Sequence, residues 1–267
     1  MSWYRASWAA DDSEPVQATL NRLYSYEHDV TTKVLHRARL NLFVELLRDI
    51  PGRGAALDVG CSAGAYAQIL VDAGFAPVVG IDIDEEAIAA GKEQFPGVEF
   101  RLQPAEELQE HDRYALALCT EVLEHTGDPR RVVDAIERAL VPGGVAIFSL
   151  PNAFSLPYAH AALAARLRGR TLDPELRDHL RFPFYRTLRL LDRPGLTRVR
   201  TAGANVLLDP TLLVAVHGRR GFATLGAVNG RLARSWPLRY AAQFFFVVVR
   251  KRPVRRADAA AFPNAPG

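Results

Sequence analysis

This sequence predicts an α/β fold: a parallel sheet with helices packed on both of its faces. Three observations predict it. From Ala55 to Leu150, short apolar runs alternate with stretches of helical period. A small-residue turn, "DVGCSAG", follows the first of those runs. The second run, about 20 residues on, ends at an acid in "GIDID".

The elements follow in order. "TTKVLHRARLNLFVELLRDI" carries a helical stripe at Val34, Leu35, Leu42, Leu46 and Leu47, stopped by Pro51 and Gly52. "AALDVG" is a short buried strand and "AYAQILVDAG" a helix ending at Gly74. "PVVGID" is the second strand. "DEEAIAAGKEQF" is a helix with acids in its first turn, where the helix dipole favours them. "VEFRL" and "YALALCT" are strands three and four, and "PRRVVDAIERAL" is a helix with Pro129 at its first position. "GGVAIFSL" is strand five. After Pro151 the rhythm breaks. "YAHAALAARLRG" reads as an amphipathic helix, "YRTLRLLDRPG" as another, "TRVRTAG" as strand six and "AQFFFVVVRKR" as strand seven. Residues 1–253 are expected to form a single domain, and the Ala-, Pro- and Arg-rich residues 254–267 a disordered tail.

Composition excludes several classes. With 267 residues, 49% of them hydrophobic, the chain can bury a full core. A net charge of +3, with no Lys/Arg run among stacking aromatics, gives no nucleic-acid surface. The start lacks a signal-peptide pattern, and no apolar run approaches the roughly 20 residues of a membrane span, so a cytoplasmic protein is expected. Cys61 and Cys119 make no disulfide framework, and the seven histidines lack metal-ligand spacing.

In an open parallel sheet, ligands bind beyond the carboxyl ends of the strands, where strand order reverses. Asp58, Gly60, Ser62 and Gly64 stand at the end of the first strand. Glycines there allow a tight turn and close approach, and the following helix turns its N–H groups toward the site. Asp82 is placed to accept from both hydroxyls of a ribose. No GxxxxGK[ST] is present, and "DVGCSAG" does not fit the G-x-G-x-x-G of a dinucleotide pyrophosphate. The pair of strand ends describes an adenosine-containing ligand.

"LDVGCSAGAYAQIL", "GIDIDEEAI" and "CTEVLEHTGDPRRVVDAIERALVPGGVAIFSLPN" together resemble the class I S-adenosylmethionine-dependent methyltransferases. The nearest likeness is to the small-molecule group that includes the ubiquinone-biosynthesis, sugar and natural-product O-methyltransferases. It covers residues 35–151 and resumes at "DHLRFPFYRTLRLLDRPGLT" and the final strand. The resemblance implies a Rossmann-like seven-stranded sheet of order 3-2-1-4-5-7-6, with strand 7 antiparallel. It also implies an N-terminal cap segment at 1–35 and acceptor-lid insertions at 152–183 and 204–238.

For the cofactor, S-adenosylmethionine, it implies a cradle from Asp58, Gly60, Cys61, Ser62 and Gly64. It puts the ribose on Asp82, the adenine against Ile83, Ala105 and Glu106, and the sulfonium beside Cys119, Thr120 and Glu121. Two positions depart from the family pattern. Ser62 replaces a glycine, and a serine fits there only with negative φ or in a relaxed turn. Pro104 replaces the aspartate often found before "AEEL", leaving adenine recognition to backbone groups and Glu106.

Methyl transfer from a sulfonium is an in-line displacement, so orientation does most of the work, roughly 7 to 11 kcal/mol in favourable cases. A hydroxyl acceptor benefits from a general base, by about 10²–10⁴-fold. His125, His179 and Glu121 are the catalytic candidates. His160 reads as a solvated or packing residue. Tyr24, Tyr26 and Arg39 either meet the cofactor's carboxylate or serve ordinary packing. Phe154, Tyr158, Leu163, Phe182, Phe184, Tyr185, Leu212, Leu213 and Phe222 give the insertions an apolar lining for the acceptor.

The expected function is methyl transfer to a small-molecule acceptor, at oxygen. A non-catalytic cofactor-binding module, motivated by Ser62 and Pro104, is the rival reading. A lipid-linked acceptor at the membrane surface is a third, motivated by the amphipathic insertion and the basic "RKRPVRR". A homodimer is compatible with all three.

Overall fold

Alternating side chains along each strand decide which helix covers which face. The computed structural model describes residues 15, 16, 18, 19, 30–50, 54–169, 171, 183–207 and 228–253. Tyr24, Tyr26, His179, Phe182, Leu212, Leu213, Phe222 and the tail from 254 lie outside the described residues.

Helix α1 (Val30–Arg48) leads into β1 (Ala56–Val59), α2 (Ala65–Asp72) and β2 (Val78–Asp82). Then come α3 (Glu85–Gln94), β3 (Glu99–Leu102), β4 (Tyr114–Thr120), α4 (Pro129–Ala139) and β5 (Leu140–Pro151). The last elements are α5 (Leu156–Leu167), α6 (Phe184–Leu191), β6 (Leu196–Ala204) and β7 (Phe244–Lys251). The seven strands form one sheet in the order β3-β2-β1-β4-β5-β7-β6. The first five pair parallel, and β7 lies antiparallel to both β5 and β6. Strand order therefore reverses between β1 and β4.

One face of the sheet offers Ala56, Leu116, Leu118, Ile147 and Phe246 to α1, α2 and α3. The other offers Leu57, Val59, Ala117, Phe148 and Phe245 to α4 and α6. Phe148, Phe245 and Phe246 are completely buried, and each such ring is worth about 1.5–3 kcal/mol in burial. The single acid on β1, Asp58, falls on the α2 face because it alternates with Leu57 and Val59.

Helix starts obey local chemistry. Asp84 accepts from the Ala87 N–H to cap α3, and Asp128 accepts from Arg130 and Arg131 ahead of Pro129 at the start of α4. Strand β5 begins earlier than "GGVAIFSL" indicates. Gly144 passes so close to the Tyr114 carbonyl that a Cβ would sit 3.0 Å away, and the strand runs through the glycine pair.

Where the parallel rhythm ends, Asn152 organises the chain. Its side-chain N–H groups donate to the Tyr240 and Ala242 carbonyls at 2.8 and 2.9 Å, and its Oδ1 accepts from the Phe154 and Phe184 N–H groups, both at 3.2 Å. The side chain is fully buried, so each of these backbone groups depends on it. At the opposite end of the sheet, Lys251 Nζ donates to the Arg138 and Leu140 carbonyls at the C-terminus of α4. The described part of the basic "RKRPVRR" therefore lies at the far end of the sheet from α5. The two basic features that motivated a membrane surface do not share one face.

Asn152→Ala leaves four backbone groups without partners. It is expected to destabilise the protein by about 3 kcal/mol in urea unfolding. A loss below about 1 kcal/mol would contradict the anchoring role.

Candidate active site

The turn after β1 is held in shape by the tip of β2. The Gly60 and Cys61 N–H groups donate to the Ile81 carbonyl at 2.8 and 3.0 Å. Gly60 and Gly64 have φ of +71° and +86°, and a Cβ on Gly64 would lie 2.4 Å from the Phe100 ring. Ser62 corrects the sequence expectation: its φ is +47°, in the left-handed region rather than at negative φ. That conformation costs a non-glycine residue about 1–2 kcal/mol. Its compensation is visible, because the Ser62 N–H donates to Asp82 Oδ2 at 2.7 Å. A hydrogen bond to a charged group contributes about 1.5–3 kcal/mol, enough to offset the strain. Asp82 Oδ1 accepts from the Ile83 and Asp84 N–H groups.

Two cavities flank this turn. The first, about 410 Å³, is lined by Arg39 of α1, Gly60, Cys61 and Ser62 of the turn, Tyr66 of α2, and Thr120 and Glu121 at the end of β4. The second, about 370 Å³, is lined by Asp82, Ile83, Gln103, Ala105 and Glu106, with Glu121 and His125 on its far wall. Gly60, Ser62 and Glu121 border both. Both volumes fall in the usual range for small-ligand sites. Ile83 is 74% exposed, an apolar side chain standing free at the rim.

Of the residues singled out by sequence, the cavities gather Gly60, Cys61, Ser62, Asp82, Ile83, Ala105, Glu106, Thr120, Glu121 and His125. Gly64 is buried at the start of α2, and Cys119 lies inside the sheet, 1% exposed and away from both cavities. Asp58 is likewise enclosed beneath the turn.

The cavities meet at a polar cluster drawn from five elements. Glu121, itself at φ +56°, accepts from Ser149 Oγ of β5 at 2.7 Å and lies 3.8 Å from the Arg39 guanidinium. Arg39 stacks over the Phe244 ring of β7 at 4.8 Å, and its Nε has no partner among the described residues. Glu124 has a fully enclosed carboxylate, 4.0 Å from His125 Nε2. Tyr158 of α5 is buried against this cluster, where Glu121 and Glu124 act on it. Sequence reasoning pairs Glu124 with Glu121 as a carboxylate near the sulfonium, and it missed Tyr66 and Ser149 as parts of the site. Only the shared strand-end position of Ser149 and Glu121 hints at their meeting.

Burial sets the electrostatics. It raises the Glu121 carboxyl against the opposing pull of Arg39, and it raises Glu124 to about 8, with Glu121 adding to the shift. Asp58 is pushed from its ordinary 3.8 to about 8, first by burial and then by the charge of Asp82. The Ala67 N–H in the first turn of α2 offsets part of this, although neither Asp58 oxygen has a partner of normal hydrogen-bond geometry among the described residues.

The parallel sheet, the reversal point between β1 and β4, and a strand-end acid beside a glycine turn put the two cavities where open α/β sheets bind their ligands. A family model described as "Methyltransferase domain" matches residues 26–197, and the chain belongs to that family.

Among curated relatives, the ubiquinone biosynthesis O-methyltransferase of Acinetobacter baumannii (strain AYE) is 33% identical over 151 residues, covering 54% of this chain and 63% of the relative. That of Bordetella avium is 36% identical over 133 residues, covering 48% and 54%. The chain thus spans less than two thirds of the length of these relatives. Among solved structures, an S-adenosylmethionine-dependent methyltransferase from Mesorhizobium loti has a TM-score of 0.55 at 19% identity, covering 80% of this chain and 98% of its own. The N-methyltransferase NodS from Bradyrhizobium japonicum, in complex with S-adenosyl-L-homocysteine, has a TM-score of 0.51 at 15% identity, covering 89% and 99%. The fold is shared with both.

A carboxyl whose pKa is higher folded than unfolded contributes stability that is complete below the unfolded value and is lost as pH rises toward the folded one. Asp58 therefore lowers stability progressively between pH 3.8 and about 8. Asp58→Asn is expected to reduce that fall, read as unfolding free energy at several pH values. An identical pH profile in the variant would contradict the assignment.

Proposed function

We propose that this chain is an S-adenosylmethionine-dependent methyltransferase that methylates a hydroxyl oxygen of a small-molecule acceptor. The observation that carries the reading is the placement of Asp82 and Glu121 on adjoining cavities separated by the β1 turn. The residues fit the cofactor. Asp82 Oδ2 accepts one N–H and keeps a lone pair for a ribose hydroxyl. Ile83, Ala105 and Glu106 offer an apolar face and a polar edge for an adenine. Arg39, whose Nε has no partner among the described residues, lines the first cavity and suits a carboxylate. When bound, the cofactor supplies an activated methyl group on a sulfonium.

The chain's own residues have the remaining tasks. Glu121 borders both cavities and favours a cation where they meet. His125 lines the second cavity and, with His179, is proposed to accept the proton of the acceptor hydroxyl. Support for oxygen as the acceptor atom comes from the names of the curated relatives and from the proton-accepting groups around the junction. Domain limits at 1–253, with acceptor choice residing in 152–183 and 204–238, complete the proposal.

Labelled methyl incorporation from S-adenosylmethionine into a panel of phenols, sugars and amines tests the reaction. Transfer to a hydroxyl acceptor is expected. Transfer only to amines would overturn the choice of oxygen, and cofactor binding without transfer to any acceptor would favour a non-catalytic binding module. Asp82→Ala is expected to weaken binding of S-adenosylhomocysteine about 10- to 100-fold in calorimetry, since it removes a charge-assisted contact. Unchanged affinity in a folded variant would contradict the ribose assignment.

A further inference from the structure

Strand β5 buries a serine where the core needs only a hydrocarbon. Ser149 is completely buried and alternates with Val145 and Ile147, on the face of the sheet that α1, α2 and α3 cover. It stands opposite Thr120 of β4 and Phe246 of β7. A hydroxyl taken into such surroundings costs free energy unless it is hydrogen-bonded. Its Oγ donates to Glu121 Oε1 at 2.7 Å. The Glu121 N–H donates back to the Ser149 carbonyl at 2.9 Å, so Ser149 holds Glu121 by its backbone and by its side chain.

Glu121 has φ of +56°, a conformation that a non-glycine residue adopts only at a cost. Its two oxygens are engaged by different elements: Oε1 by β5, and Oε2 by the Arg39 guanidinium of α1 at 3.8 Å. The side chain borders both cavities. Among the described residues, the titratable groups that act on it or feel its charge are Arg39, Tyr66 of α2, Cys119 of β4, Glu124 and His125 after β4, and Tyr158 of α5. Burial disfavours the charged form of Glu121, whereas Arg39, the Ser149 hydroxyl and His125 favour it.

We infer that Ser149 is a positioning residue: its hydroxyl holds the Glu121 carboxylate at the junction of the two cavities, and so makes the site prefer the sulfonium of the methyl donor to the neutral sulfide left after transfer. This role rests on the methyltransferase reading. Methyl transfer removes the positive charge from the junction, so Glu121 attracts the product less than the methyl donor. An apolar residue at 149 would serve the core equally well, but would leave Oε1 without that donor.

Calorimetry of the full chain with S-adenosylmethionine and with S-adenosylhomocysteine tests the role through the ratio of the two affinities. Ser149→Ala is expected to lower the preference for the sulfonium about 3- to 10-fold, with the affinity for S-adenosylhomocysteine and the far-UV spectrum unchanged. Losing a donor to the carboxylate raises the pH at which Glu121 ionises. The growth of the preference with pH is therefore expected to move to higher pH in the variant. Ser149→Cys, close in size but a weak donor, gives the same reading if the alanine variant does not fold. Glu121→Gln keeps the shape and an acceptor oxygen but not the charge. It is expected to lower the preference at least as far, and Ser149→Ala added to it is expected to have no further effect.

An unchanged ratio in a folded Ser149→Ala, or in Glu121→Gln, would overturn the assignment. So would an equal loss of affinity for both ligands, the mark of a merely structural role, or a further loss when Ser149→Ala is added to Glu121→Gln. Binding of neither ligand by the wild type would defeat the methyltransferase reading and this role with it. Binding of both with an unchanged ratio in the variants defeats the role alone.

Discussion

One carboxylate joins the tips of two parallel strands, and the site is arranged around it. Asp82 at the end of β2 accepts the Ser62 N–H at the end of β1, and the Ile83 and Asp84 N–H groups beside it. Without that acceptor the left-handed conformation of Ser62 has no visible compensation. The turn it stabilises separates the two cavities. The carboxylate that would meet a ribose is thus also the one that shapes the loop, and occupancy of the site and loop geometry are linked through a single side chain.

The second constraint is burial of like charges. Asp58, Glu121 and Glu124 are all pushed upward, with burial the largest cause for each. Arg39, which comes from α1 outside the sheet, opposes that shift at both Glu121 and Glu124, and His125 also opposes it at Glu121. Enclosing carboxylates this way is costly unless they are neutralised or paired. Such arrangements concentrate where proteins bind cations or move protons. The cluster therefore belongs more naturally to the site's chemistry than to the stability of the fold.

Much of the architecture was legible in the sequence because strands and helices announce their period locally. Pro129 after Asp128, the acids opening α3 and the apolar alternation of β4 are local signals, and each element formed where they stand. The glycine turn and Asp82 were legible for the same reason. Ser62 was not, because its positive φ depends on an acceptor 20 residues away. The polar cluster was invisible too. Arg39, Tyr66, Glu121, Ser149 and Tyr158 meet only after α1, α2, β4, β5 and α5 have packed, and no spacing rule connects them. The position of the basic "RKRPVRR" relative to α5 required the antiparallel direction of β7.

The central claim is that a sulfonium nucleoside lodges over the tips of β1 and β2. Isothermal titration of the folded wild-type chain with S-adenosylhomocysteine, with nicotinamide dinucleotide as the control ligand, tests it most directly. Saturable binding of the former and none of the latter is the predicted result. A correctly folded sample that takes up neither S-adenosylhomocysteine nor S-adenosylmethionine, even at millimolar concentration, would contradict the account.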